Sequence, residues 1–119
     1  MKLKKKLLSL VGVGAMICMM SNTALAASGG LTANITSNYV SARYEYSVMG
    51  NVITAKIDYT EKHTTTGHVN SSSCQSTLAG GYTVVSVGRY ADEGYKYTTM
   101  TAYGLVNGVV KTSVGPMKP

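Results

Sequence analysis

The stretch YVSARYEYSVMGNVITAKIDYT, residues 39–60, decides the fold class. Its side chains alternate. Val40, Ala42, Tyr44, Tyr46, Val48, Ile53, Ala55, Ile57 and Tyr59 collect on one face. Ser41, Arg43, Glu45, Ser47, Thr54, Lys56 and Asp58 collect on the other. A period of two, with β-branched and aromatic residues prominent, is the pattern of half-buried strands rather than of a helix. Gly50-Asn51 lies at the centre, and both residue types tolerate the positive φ of a primed two-residue turn. The segment therefore predicts a hairpin in which Met49 faces Val52, Glu45 faces Lys56 and Arg43 faces Asp58. Each opposite-charge pair would contribute about 0.2–1 kcal/mol.

Other strand signals lie around this segment. Asn107-Gly108 predicts a second hairpin with arms Tyr95–Val106 and Val109–Val114. Gly81 to Tyr90 reads as a strand turned back at Asp92-Glu93-Gly94, with a three-residue loop or a bulge that keeps Arg89 from facing Lys96. Leu31 to Thr36 reads as a short leading strand. The tail Gly115–Pro119 is expected to be loose, because Pro116 and Pro119 lack the ladder donor. Lys62 to Gly81, rich in Ser, Thr and Gly, is expected to leave the preceding strand and become a long loop. The fold class is thus all-β: a small antiparallel β-sandwich of five to seven strands built from hairpins.

The first 26 residues have a different character. Lys2, Lys4, Lys5 and Lys6 precede an apolar run from Leu7 to Met20, then Ser21-Asn22-Thr23 and the small-residue triplet Ala24-Leu25-Ala26. This is the layout of a cleaved secretory signal peptide of Gram-positive type, with the cut after Ala26. The apolar run is shorter than the ~20 residues a spanning helix needs. A lipoprotein reading on Cys18 would put the bulky Ile17 where processing requires a small residue. The expected organisation is a signal peptide over 1–26 and a single antiparallel β domain over 27–119, secreted and extracellular.

The formal net charge of +6 belongs mostly to this leader. Residues 27–119 carry seven Lys/Arg against five Asp/Glu, which leaves +2. Such a balance does not call for nucleic acid, and no stable membrane span is expected after cleavage.

Candidate chemistry is sparse. His63, His68 and Cys74 cluster in the Lys62–Gly81 segment and form a possible functional loop. A structural zinc site needs four ligands at tight spacing, and a Cys–His nucleophile pair needs an orienting group and an oxyanion donor. Neither set is present in the sequence, so no catalytic, metal or cofactor residue is assigned and no cofactor or enzymatic activity is expected. Cys74 is the single cysteine of residues 27–119, which suggests either a free thiol or an intermolecular disulfide. All nine tyrosines lie in the same region. Tyr44, Tyr46 and Tyr59 fall on the apolar face. Tyr82, Tyr90, Tyr95, Tyr97 and Tyr103 are candidates for a binding surface, since tyrosine joins apolar area to one hydroxyl.

Three segments resemble a known family. They are Lys62-His63-Thr64-Thr65-Thr66-Gly67-His68-Val69-Asn70, then Ala79-Gly80-Gly81-Tyr82-Thr83-Val84-Val85-Ser86-Val87-Gly88-Arg89, then the Tyr-rich run to Tyr103. Together they resemble the lactococcin-type secreted, unmodified bacteriocins. The resemblance covers about 40 residues and departs from the family in lacking Trp and in having an extra N-terminal hairpin. It implies a small β-sandwich and antimicrobial action on septum formation through the cell-wall precursor lipid II, and no binding residue is carried over. The functional expectation is a small secreted non-enzymatic, bacteriocin-like protein acting at the bacterial cell envelope on a cell-wall component. The alternative is a secreted adhesion or carbohydrate/peptide-binding β module whose exposed tyrosines contact a cell-surface glycan or protein.

Overall fold

A computed structural model describes residues 24–119. The basic start, apolar run and Cys18 of the expected leader lie outside the described residues. Eight strands follow in chain order: β1 (Ala24–Ser28), β2 (Leu31–Ile35), β3 (Tyr39–Glu45), β4 (Ile53–His63), β5 (Val69–Leu78), β6 (Val84–Tyr90), β7 (Tyr95–Val106) and β8 (Val109–Met117). They form two four-stranded sheets, β1-β2-β3-β6 and β5-β4-β7-β8, in which every pairing is antiparallel. The two sheets pack as a small β-sandwich.

The inner faces follow the alternation of the sequence. Leu31, Ala33, Ile35, Val40, Ala42, Tyr44 and Val85 come from the first sheet. Ile53, Ala55, Ile57, Tyr59, Tyr97, Met100, Ala102, Val106, Val114 and Met117 come from the second. Of the apolar face read from residues 39–60, only Tyr46 is half-buried and Val48 exposed. Of the polar face, Thr54 is buried, with its hydroxyl 2.9 Å from that of Thr77.

The expected hairpin over residues 39–60 does not form. β3 pairs with β2 and β6, and β4 pairs with β5 and β7. The chain passes from one sheet to the other through residues 46–52, so the two apolar faces meet across the core instead of lying side by side. Alternation cannot tell these arrangements apart, because both bury the same residues. The charges find partners within each strand: Arg43 lies 3.6 Å from Glu45, and Lys56 lies 3.9 Å from Asp58.

The same correction holds for β6 and β7, which lie in different sheets and are joined by a crossing at residues 91–94. Arg89 therefore points inward toward Glu61 and Tyr97 instead of standing near Lys96. The Asn107-Gly108 hairpin forms as expected. Val106 pairs with Val109, and the turn residues have φ of 52° and 80°, the two positive values of a type I′ turn.

Two segments expected to be irregular are strands. β5 occupies half of the expected loop and pairs with β4 over ten positions without a register break. An edge strand needs ladder partners on one side only, and half-buried Cys74, Ser76 and Leu78 supply enough inward contact. The tail also continues the sheet. Met117 pairs with Met100 and is 9% exposed. Pro116 sits at a register shift on an edge strand, where a missing donor is tolerated. With β1 and β5 added, the strand count is eight instead of five to seven. β1 straddles the expected cut: removal of Ala24-Leu25-Ala26 would leave Ala27 and Ser28 paired to Thr32 and Leu31.

Candidate functional site

Three connections meet at one end of the sandwich: residues 46–52, residues 79–83 and the β7–β8 turn. Their backbones are tied together. The Asn107 N–H donates to the Val52 carbonyl at 2.7 Å, and the Tyr46 and Gly50 N–H groups donate to the Thr83 and Gly80 carbonyls at 2.8 and 2.9 Å. Asn107 adds two side-chain bonds: its Oδ1 accepts from the Val52 N–H at 2.9 Å, and its Nδ2 donates to Asn51 Oδ1 at 2.9 Å. Gly50, Gly80, Asn107 and Gly108 take the positive φ that these tight connections need.

This end displays apolar side chains. Val48 is 56% exposed, Met49 62%, Tyr82 57% and Val109 58%, with Val52 and Val110 alongside. Leu25, Val69 and Tyr90 complete the large exposed hydrophobic residues of the described chain and lie elsewhere. Residues 46–52, 79–83 and 107–110 contain no Asp, Glu, Lys or Arg, and Lys111 stands at the margin. Scattered exposed apolar residues need no account, but several gathered on one uncharged end mark a contact surface. The hydrogen bonds between loops hold that surface in shape before anything binds.

The opposite end holds the histidines. His63 closes β4, and its Nδ1 accepts from the Thr65 and Thr66 N–H groups at 3.1 Å each, which leaves the proton on Nε2. His68 Nδ1 lies 3.1 Å from the Tyr95 hydroxyl, and both imidazoles stand edge-on to the Tyr95 ring. Cys74 does not join them. It faces Ile57, six residues along β4 from His63, a span of roughly 20 Å at ~3.3 Å per residue. Among the described residues no group of three or more His, Cys, Asp or Glu could hold a metal ion. Burial pushes the Cys74 thiol above its ordinary pKa, with nearby Arg89 opposing and Asp58 adding to the rise, so the sulfur is held as a thiol.

The five candidate tyrosines do not share a surface. Tyr82 belongs to the apolar end, Tyr95 to the histidine end, and Tyr103 to the outer face of the second sheet with Lys56 over its ring. Tyr97 is buried, at 2% exposure. Tyr90 is 74% exposed and pairs with Tyr39, their ring centroids 4.6 Å apart. The Tyr39 ring lies across Gly88, its hydroxyl filling the space a Cβ would take. Beside it on the outer face of the first sheet is a shallow depression of ≈ 300 Å³, lined in part by Leu25, Asn34, Ser41 and Arg43. Asn34 Oδ1 is buried without a hydrogen-bond partner. Tyr39 was missed in the sequence because its role depends on β3–β6 pairing, which local pattern does not reveal.

A buried polar network was also missed. Glu61 is 1% exposed. Its Oε1 accepts from the Asp92 N–H at 3.2 Å and from Arg89 Nη1 at 3.3 Å, and its Oε2 accepts from Asn70 Nδ2 at 3.4 Å. Arg89 also donates to the Tyr97 hydroxyl at 2.8 Å and to Asp92 Oδ1 at 2.9 Å, and its guanidinium stacks 4.5 Å from the Tyr59 ring centroid. Glu61, Arg89 and Asp92 are each bonded within the network, which links β4, β6 and the crossing at residues 91–94. No protein family, curated protein or solved structure matches the chain. Among the described residues no helix is long and apolar enough to cross a membrane.

Proposed function

We propose that the chain is a small non-enzymatic protein acting outside the cell at the bacterial envelope, and that it docks there through its apolar end. The observation that carries this reading is the uncharged three-loop surface bearing Val48, Met49, Val52, Tyr82, Val109 and Val110. An envelope contact at the membrane surface, where cell-wall components are lipid-linked, would bury such residues while the polar sheet faces stay in water. Tyr82 suits the boundary, having an apolar ring and a polar tip. The leader read in residues 1–26 would deliver the chain to that compartment, and the bacteriocin-like resemblance would make the docking antimicrobial.

Co-sedimentation with phosphatidylglycerol/phosphatidylcholine vesicles, with and without a lipid-linked cell-wall precursor, tests this directly. Burying one large apolar side chain contributes about 1.5–3 kcal/mol. Met49→Asp with Val109→Asp is therefore expected to weaken binding by about 100-fold or more, with the thermal unfolding midpoint little changed. Vesicle binding equal to that of the wild type would remove the reading. Growth inhibition of Gram-positive cells by the purified protein, lost in the same double variant, is the outcome expected of the antimicrobial form.

The Tyr39–Tyr90 pair supports a second reading, a glycan-binding module. An exposed aromatic pair beside a groove lined in part by Ser41, Arg43 and Ser86 offers a stacking platform and polar side chains for hydrogen bonding. A glycan array separates the two readings: binding that depends on Tyr90 and not on Met49 favours the module.

A further inference from the structure

We propose that two copies of this chain join edge to edge through β5, antiparallel about a two-fold axis at Cys74. β5 is the open edge of its sheet, ten residues long, with neither a charged residue nor a proline among Val69–Leu78. Strand edges of that kind are templates for another strand unless something guards them. The other edges are guarded or short: β8 carries Lys111, Pro116 and two register shifts, β6 is seven residues long and carries Arg89, and β1 has five residues.

The phase of the ladder decides which β5 groups are free. The His63 N–H donates to the His68 carbonyl at 2.8 Å. Hydrogen-bonded pairs recur every second residue in an antiparallel ladder, so the unbroken register makes Glu61↔Asn70, Tyr59↔Ser72, Ile57↔Cys74 and Ala55↔Ser76 the bonded pairs. The bond from Asn107 N–H to the Val52 carbonyl gives even-numbered β4 residues to β7, the complementary phase. Ser71, Ser73, Gln75 and Thr77 therefore point their N–H and C=O groups out of the free edge.

A second copy fits this edge in one symmetric register that places Cys74 on Cys74. Ser73 then exchanges both backbone bonds with Gln75 of the second copy, and Ser71 with its Thr77; symmetry repeats both pairs. No charged residue meets another, and each side chain opposes one on the same face. The two Cys74 residues occupy a non-hydrogen-bonded pair, where Cα atoms lie ~4.5 Å apart, within the ~4.4–6.8 Å that a disulfide spans. An isologous contact of this kind closes at two copies.

The purified protein tests this in reducing buffer by sedimentation velocity at about 100 µM. A dimer is expected. Ser73→Pro removes a donor that faces the free edge and takes no bond from β4, so the variant is expected to be monomeric with an unchanged circular-dichroism spectrum. Oxidised glutathione then serves as a trap: the paired thiols give up two protons and two electrons to it, forming one Cys74–Cys74 disulfide and two reduced glutathiones. Cross-linking is expected to be at least tenfold slower in Ser73→Pro. Should that variant unfold, Gln75→Lys, which places two like charges on one face across the axis, replaces it. A monomeric wild type, or equal cross-linking rates in the wild type and a folded edge variant, would overturn the proposal.

Discussion

Arg89→Met is expected to lower the unfolding free energy by about 3–5 kcal/mol, because removing one partner leaves a buried carboxylate uncompensated. Glu61 sits at 1% exposure, and Arg89 is the cation that reaches it, at 3.3 Å. The same arginine ties Tyr97 and Asp92 into the core edge and covers the Tyr59 ring. A domain of this size has about 5–15 kcal/mol in total. A loss of 3 kcal/mol would move the thermal midpoint by upwards of about 12 °C. Chemical denaturation measures the loss, and a value below about 1 kcal/mol would show that the network is not what holds β4, β6 and β7 together. Adding Glu61→Gln is expected to restore part of the stability, since the remaining group is then neutral, and the double-mutant cycle isolates the coupling.

The network also sets the acid limb of stability. Burial alone would push the Glu61 carboxyl up, but the Asp92 N–H, the Asn70 amide and Arg89 together hold it below its ordinary value. A lowered folded pKa means that the contribution is complete above the unfolded value of ~4.3 and drains away as pH falls through the folded one. The wild type is therefore expected to lose stability below about pH 4.3 more steeply than Glu61→Gln. At the other limb Tyr97 is pushed up to about 12, chiefly by burial, with Arg89 opposing. A raised folded pKa gives a contribution that is complete below ~10 and is lost between ~10 and about 12. Unfolding midpoints followed across pH should show both limbs, and Tyr97→Phe should flatten the second.

The legible part of this fold is what depends on one residue and its neighbour two positions away. Alternation along residues 39–60 assigns the inward set of the two strands, Val40, Ala42, Tyr44, Ile53, Ala55, Ile57 and Tyr59, but fails at Tyr46 and Val48 in the crossing and at buried Thr54, and Asn107-Gly108 specifies its turn through two positive φ values. Strand partners were not legible. A crossing between sheets and a hairpin bury the same side chains, and Arg43 and Asp58 find opposite charges within their own strands as readily as across a turn. β5 escaped notice because an edge strand of Ser, Thr and Gln carries little apolar signal and takes its order from the ladder on β4. The apolar end escaped for a related reason. Val48, Tyr82 and Val109 are 27 or more residues apart in sequence, and only the sheet crossings bring their loops together. Tyr82 was singled out alone, and its companions read as ordinary strand residues.

Gly104→Ala is expected to destabilise the protein, although alanine is the better strand residue. Gly104 lies on the inner face of β7, between Ala55 of β4 and Thr112 of β8. The Tyr44 ring from the opposite sheet rests on it, and a Cβ built there would stand 2.5 Å from Tyr44 Cδ1 and 2.6 Å from Cε1. Tyr44 is 1% exposed and stacked near Tyr46, so the ring has no solvent to move into. Overpacking a closed core costs about 1–3 kcal/mol, and Gly104→Val should lie at or above the upper end. In an open strand the same change to alanine would stabilise by about 0.5–1 kcal/mol, through the backbone entropy that glycine loses on folding. The sign of the effect thus reports whether the two sheets meet at this point. Gly104→Ala with Tyr44→Leu, which gives volume back, is expected to recover at least half of the loss measured by urea denaturation. A stabilising Gly104→Ala, or a double variant worse than the sum of the two single changes, would mean that β3 and β7 do not face each other across the core.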